Sequence, residues 1–120
     1  MKLRQLIHKV QQYSGLPLSE SKEALLVMVE SLSVRLGEAE RVAFARRLPQ
    51  ELEDIALSVY PSIENSSSDL VTQFMQNEGI GESLAKRQIR AAWQALRDAI
   101  SEAEMDNIKR ELPSSVGALP

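Results

Sequence analysis

The sequence predicts an all-α protein, a helical bundle built from two tandem copies of a three-to-four-helix unit related by pseudo-two-fold symmetry. Three observations lead to this prediction. The chain matches itself without a gap at a shift of 64 residues, its apolar residues recur at helical spacing, and no pair of strand-like runs is joined by hairpin turn chemistry. A chain of 120 residues with such a repeat is most simply one supersecondary unit used twice.

The repeat covers most of the chain. Residues 6–56 align with residues 70–120, and twelve of the 51 aligned pairs are identical, whereas average residue usage would give roughly three or four identities by chance. The identical pairs include residues that end or begin helices, namely Gly15/Gly79, Glu38/Glu102, Glu40/Glu104, Leu48/Leu112 and Pro49/Pro113. We therefore expect both copies to have the same order of helices.

Apolar spacing defines the first two helices of the first copy. Leu3, Leu6, Ile7 and Val10 form one stripe, and the helix that carries them should end at Gly15, because glycine readily adopts the left-handed conformation after a helix. A second helix is expected to begin near Ser19, as its cap, and to run to about Leu36. Its predicted core face consists of Leu25, Met28, Val29, Leu32 and Leu36.

Two shorter helices complete the first copy. Gly37 breaks the second helix, and Glu38 begins a third with acidic residues in the first turn, where the macrodipole favours them. Pro49 fits the start of a fourth helix from Gln50 to about Val59.

The second copy repeats this layout over predicted helices at about 68–77, 83–100 and 102–112. Ser101 and Glu104 have the spacing of a capping box, in which each side chain bonds the amide of the other residue. The stretch 114–119 is a weakened copy of the fourth helix, because Gly117 replaces Glu53.

We expect one domain over residues 1–120, with a first repeat at 1–60, a linker at 61–65 and a second repeat at 66–120. The linker region is polar and short, so each copy is the obvious surface against which the other can bury its apolar stripe. Two separate four-helix lobes are the alternative, although roughly 55 residues make a marginal core alone.

These residues also resemble a known family. The apolar first helix, Gly15–Leu16, the long second helix, the acidic start at 37–40 and Leu48–Pro49 resemble the bacterial family called domain of unknown function 2267. The second copy, with Gly79, Trp93 and Leu112–Pro113, is similar to that family too. The resemblance covers nearly the whole chain and implies the fold, but it implies no established activity, substrate or cofactor.

Composition excludes several classes of function. The chain has no cysteine, so disulfides, thiolate metal sites and cysteine nucleophiles are ruled out. Residues 1–60 carry eight basic and eight acidic side chains, and residues 61–120 carry six and nine. Neither half is basic, which disfavours nucleic acid as a partner. No segment has the apolar length of a signal peptide or a membrane span, so a cytoplasmic protein is expected.

Candidate catalytic and metal-binding residues are few. His8 is the single histidine, and its repeat partner is Thr72, which favours an ordinary, partly exposed side chain. The acidic pairs Glu38/Glu40 and Glu102/Glu104 point away from each other, because residues two apart on a helix lie on different faces. We therefore expect no catalytic residues, no metal, no cofactor and no small-molecule substrate, and hence no enzyme.

One helix carries the two features that stand out. Trp93 falls in line with Ile89 and Leu96, which favours a core position over an exposed binding anchor. Beside this stripe, four basic residues lie on one flank of the same predicted helix. They are Lys86, Arg87, Arg90 and Arg97, and we call them the basic flank.

The sequence thus predicts a non-catalytic helical module that binds another protein or itself. The alternative is a regulatory module that binds an anionic ligand or nucleic acid through the basic flank. An ordinary solvated helix surface is the simplest explanation of the flank, and salt-dependent binding of nucleic acid would distinguish the alternative.

Overall fold

The computed structural model describes residues 1–59, 69–117 and 119, and in these residues the chain folds into α-helices with no strand. The helices are α1 Leu3–Ser14, α2 Leu18–Arg35, α3 Glu38–Ala45, α4 Gln50–Ser58, α5 Leu70–Glu78, α6 Glu82–Ala99 and α7 Glu102–Glu111, followed by a 3-10 turn at Ser114–Val116. The all-α prediction is confirmed. The predicted linker at 61–65 and the predicted helix start at 68 lie outside the described residues.

Glycine ends the first helix of each copy, as predicted. Gly15 has a φ of 72° and Gly79 a φ of 64°, both in the left-handed region. The Gly15 amide donates to the Gln11 carbonyl at 2.8 Å, and the Gly79 amide donates to the Met75 carbonyl at 2.9 Å. Any larger residue would be strained at these two positions, because its Cβ disfavours positive φ.

The start of α2 differs from the prediction, and the cap of α5 was not predicted. Ser19 does not cap α2: the helix begins at Leu18, and Pro17 holds the cap position with its carbonyl accepting from the Ser21 amide at 2.9 Å. Proline takes over because its fixed φ of −57° suits this position. The cap of α5 was missed, since Asp69 accepts from the Thr72 amide at 2.7 Å.

The capping box of α7 forms only in part. The Ser101 hydroxyl accepts from the Glu104 amide at 3.1 Å, as expected. The Glu104 carboxylate does not turn back to Ser101, because it pairs with Arg47 of the other copy. Near the carboxyl end, the weakened copy of the fourth helix is reduced to the 3-10 turn, after which Gly117 has a φ of 81°.

Buried apolar residues from both copies form one cluster. The six residues named at the centre of the two core faces are all in it, namely Leu25, Val29, Leu32, Ile89, Trp93 and Leu96. Helix α6 lies at the centre and packs against α1, α2, α5 and α7. Because α1 and α2 belong to the first copy, the core spans the predicted boundary between the repeats.

Helix bounds agree with the 64-residue shift. Helices α2 and α6 differ by 64 residues at both ends, and so do the first residues of α3 and α7. The packing is less regular, because α1 makes a more extensive contact with α6 than its counterpart α5 makes with α2. The pseudo-two-fold relation therefore remains a prediction about the whole molecule.

Candidate functional site: a groove between α3 and α7

Helices α3 and α7 begin 64 residues apart and contact each other. Each has two acidic residues in its first turn, where the exposed backbone amides and the helix dipole favour negative charge. A leucine and a proline follow α7 directly, and the same pair follows α3 after a turn at Arg46 and Arg47. Two short helices with acidic starts thus lie side by side on the surface.

An apolar groove of about 270 Å³ lies between these two helices. Its deepest side chains are Phe44 and Ile100, which are 2% and 9% exposed. Ile108 is partly buried beside them, and Ala43 is exposed. The groove is lined by Glu40, Ala43, Phe44, Arg47, Ile100, Glu104, Asn107, Ile108 and Glu111.

Eight of these nine residues form four pairs at the 64-residue shift. They are Glu40/Glu104, Ala43/Asn107, Phe44/Ile108 and Arg47/Glu111. The apolar floor is therefore kept in both copies, whereas two of the four pairs change chemical character. The change from Arg47 to Glu111 reverses the charge and makes the two ends of the groove unequal.

Charge is distributed unevenly around the groove. Arg47 Nε lies 3.0 Å from Glu104 Oε2, and their side chains are 51% and 42% exposed. At the equivalent positions the chain has Glu111 and Glu40, two carboxylates, and neither forms an ion pair with a described residue. Arg47 follows the carboxyl end of α3 and meets Glu104 in the first turn of α7, so the two helices run in opposite directions along the groove. This direction puts Glu40 and Glu111 at the other end of the groove, and we call these two residues the acidic end.

The four residues of the basic flank have different contacts. Lys86 pairs with Glu82 at 3.1 Å on its own helix. Arg87 Nε donates to the Ser14 carbonyl at 2.6 Å and so holds the end of α1 against α6. Arg90 is exposed and has no charged partner among the described residues.

Arg97 makes its contacts within the second copy. Its Nη2 lies 2.6 Å from Glu102 Oε1, and its Nη1 lies 3.8 Å from Asp106 Oδ1. Three of the four basic residues, Lys86, Arg87 and Arg97, are thus occupied by groups of this chain.

The other candidate residues lie apart from the groove or at its helix starts. His8 is exposed on α1, and Trp93 is fully buried, which confirms its predicted core position. Glu38 and Glu102 are first-turn residues of α3 and α7, as predicted. In the part of the chain that the structure describes, no three histidine or acidic side chains are grouped so that they could hold a metal ion.

A second polar feature lies between α2, α5 and α6. Burial, followed by repulsion from the Glu23 carboxylate, raises the pKa of Glu78 to about 7. The Gln88 amide faces this carboxylate, and both groups are satisfied when its nitrogen donates to Glu78. Glu23 and Glu78 are the 64-residue counterparts of Arg87 and Ser14, so a hydrogen bond in one place corresponds to two neighbouring carboxylates in the other.

The groove could not be predicted from the sequence. Its floor residues have ordinary helical spacing, and Phe44 and Ile108 are one of many apolar pairs at the 64-residue shift. The reversal from Arg47 to Glu111 was a visible signal, but its meaning depends on the two helices being adjacent. That adjacency is a tertiary property.

Fold and groove together define a small all-α domain with an apolar, partly acidic surface groove. The chain belongs to the family described as an uncharacterized conserved protein family (DUF2267), which matches residues 3–119. No curated protein and no solved structure matches the chain. Among the described helices, none has both the length and the apolar character needed to cross a membrane.

Proposed function

We propose that this protein is a non-catalytic helical module that binds another protein, and that the groove between α3 and α7 is its binding surface. The observation that carries the proposal is the apolar floor formed by Phe44, Ile100 and Ile108, which the described residues leave open. Such a groove receives the apolar face of a partner helix in a common mode of recognition.

The open position of the groove at the surface favours side chains of a partner over an enclosed small molecule. Small-molecule sites usually enclose about 300–1,000 Å³ and surround most of the ligand. This groove has a volume of about 270 Å³ and lies at the surface between two helices. A partner helix needs to insert only a few apolar side chains into it.

The tandem pseudo-two-fold arrangement is part of the proposal. It is supported by the matching bounds of α2 and α6 and by the four pairs of equivalent residues that line the groove. A groove at the meeting of two copies is not present in either copy alone. Duplication would therefore have created the binding surface.

Self-association and the binding of an anionic ligand or nucleic acid have less support. Two copies joined groove to groove would place the four carboxylates of their acidic ends in one interface, and the basic residue that lines the groove, Arg47, already pairs with Glu104. For the anionic ligand, three of the four residues of the basic flank are engaged within the chain, which leaves Arg90 alone.

The proposal is tested by filling the groove without changing charge. Ala43 and Ala39 are both exposed residues of α3, but only Ala43 lines the groove. Ala43→Gln should abolish the capture of specific proteins from a lysate of the native cell, whereas Ala39→Gln should capture the same proteins as the natural sequence. Quantitative mass spectrometry of the three captures measures this difference. A capture that is identical for all three proteins would contradict the proposal.

A further inference from the structure

We infer that the occupant of the groove is a basic amphipathic helix of another protein, which places a lysine or arginine at the acidic end formed by Glu40 and Glu111. The inference rests on the proposed function and adds the chemistry of the partner. It comes from the contrast between the two ends of the groove.

The apolar part of the groove accounts for an amphipathic partner. Phe44 and Ile100 are buried at the bottom of the groove, and Ile108 and Ala43 extend the apolar surface outwards to solvent. A helix that presents apolar residues three, four and seven positions apart offers a matching stripe. Its remaining faces would stay in solvent.

The charges account for a basic partner. At one end of the groove the Glu104 carboxylate already has Arg47 at 3.0 Å. At the other end Glu40 and Glu111 both line the groove, and no described basic residue pairs with either of them. A cation of the partner could pair with Glu40 and Glu111, as Arg47 pairs with Glu104 at the other end of the groove.

Other occupants fit this charge pattern less well. A second copy that docks through the same groove brings no unpaired cation to Glu40 and Glu111, because the one basic residue among the groove residues, Arg47, already pairs with Glu104. Nucleic acid presents phosphates, and the surface of an anionic membrane presents negative headgroups, so the acidic end repels both. A basic amphipathic helix of a protein complements both the apolar floor and the acidic end.

The experiment uses displayed helical peptides and the full-length protein. The peptides share a leucine stripe at helical spacing, and their other positions vary among Lys, Glu, Gln and Ala. Binders are selected on the natural protein and sequenced. Their dissociation constants are then measured by fluorescence anisotropy against the natural protein, Glu40→Gln/Glu111→Gln, and Ala43→Gln.

A matched control separates the acidic end from general charge. Glu30 and Glu51 are exposed and lie outside the groove, and Glu51, like Glu40, is in the first turn of its helix. Glu30→Gln/Glu51→Gln therefore makes the same change in net charge. Thermal unfolding of each variant shows that the fold is retained before binding is compared.

We expect the selected peptides to be enriched in lysine beside the leucine stripe. Glu40→Gln/Glu111→Gln should weaken their binding about fivefold, as expected for the loss of exposed charge pairs. Glu30→Gln/Glu51→Gln should leave binding unchanged, and Ala43→Gln should abolish it.

Three results would overturn the inference. Binders that depend on Ala43 but carry neutral or acidic flanks would refute the basic partner and leave the proposed function standing. A dimer of this chain that Ala43→Gln disrupts would identify a second copy as the occupant. Failure to recover any peptide sensitive to Ala43→Gln would refute the proposed function as well.

Discussion

Trp93 has the largest side chain in the core, and no part of it reaches solvent. Its counterpart in the first copy is Val29, which is also fully buried. The two copies therefore fill equivalent core positions with very different volumes. The indole Nε1 has no hydrogen-bond partner among the described residues, so Trp93 contributes chiefly through the volume it fills.

Two substitutions of Trp93 should distinguish the contribution of its volume to stability from that of its indole nitrogen. Trp93→Ala leaves a large cavity and should lower the free energy of unfolding by about 3–5 kcal/mol. Trp93→Phe keeps most of the volume and removes the unpaired N–H, so it should cost less than about 1.5 kcal/mol. Urea titration followed by circular dichroism measures both values. Equal losses for the two variants would show that the indole nitrogen, and not the volume, is what the core requires.

At the scale of the helices, the contact of α1 with α6 differs from the equivalent contact of α5 with α2. Three polar contacts join α1 to α6: Arg87 donates to the Ser14 carbonyl, and Asp98 accepts from Tyr13 and lies 3.6 Å from Lys9. At the counterpart of the Arg87 contact, the Glu23 carboxylate of α2 faces Glu78 at the end of α5. The two copies thus have an attraction in one place and a repulsion at the position 64 residues away.

The raised pKa of Glu78 predicts a pH-dependent stability. Its folded value of about 7 exceeds its ordinary value of 4.5, so its contribution is fully present below about 4.5 and is lost as the pH rises through 7. Glu20 and Glu23 face it from α2, and Gln88 faces it from α6. The protein should therefore lose stability between pH 5 and pH 8, by an amount that unfolding curves at each pH would measure.

Glu23→Arg should reduce this pH dependence, because it removes the repulsion from Glu23 but not the burial that raises the pKa of Glu78. The substitution places at Glu23 the residue type that its counterpart Arg87 already has, and a cation beside Glu78 favours the carboxylate. Stability at pH 8 should rise relative to the natural protein, and the difference should shrink at pH 5. Glu30→Arg, on an exposed part of the same helix, is the control. An equal effect of both variants would mean that overall charge, not Glu78, sets the dependence.

At the scale of the whole molecule, the core consists of buried residues from both copies. Helix α6 of the second copy packs on α1 and α2 of the first, and the core cluster includes buried residues of both. A single copy would expose one side of that cluster to water. Since burial of apolar area is the main favourable term in folding, we expect that neither copy folds alone.

We expect a fragment of residues 1–59 to lack a cooperative unfolding transition. Mixing it with a fragment of residues 60–120 should restore helical circular dichroism and a sigmoidal urea transition, because the two fragments complete one core. The intact chain serves as the reference for signal and midpoint. A cooperative transition of the 1–59 fragment alone, at the midpoint of the intact chain, would instead support two separate lobes.

Local features of the sequence determined the helices of this protein. Gly15 and Gly79 end helices because their backbone conformation suits glycine, and the spacing of Leu25, Val29 and Leu32 fixed a buried face because the helical period is a local property. Because the second copy matches the first at a shift of 64 residues, both predictions apply to it as well. The error at the start of α2, where Ser19 was expected to be the cap, was a displacement of two residues to Pro17.

Tertiary structure alone decided which charges meet and where the surface is open. Arg87 and Ser14 are 73 residues apart, and Arg47 meets Glu104 only because α3 and α7 lie side by side. The spacing of the basic flank predicts one continuous row on a helix. In the fold, three of its four residues contact different groups of the same chain. The groove has the same origin, since it exists only between two helices whose contact depends on the packing of the whole core.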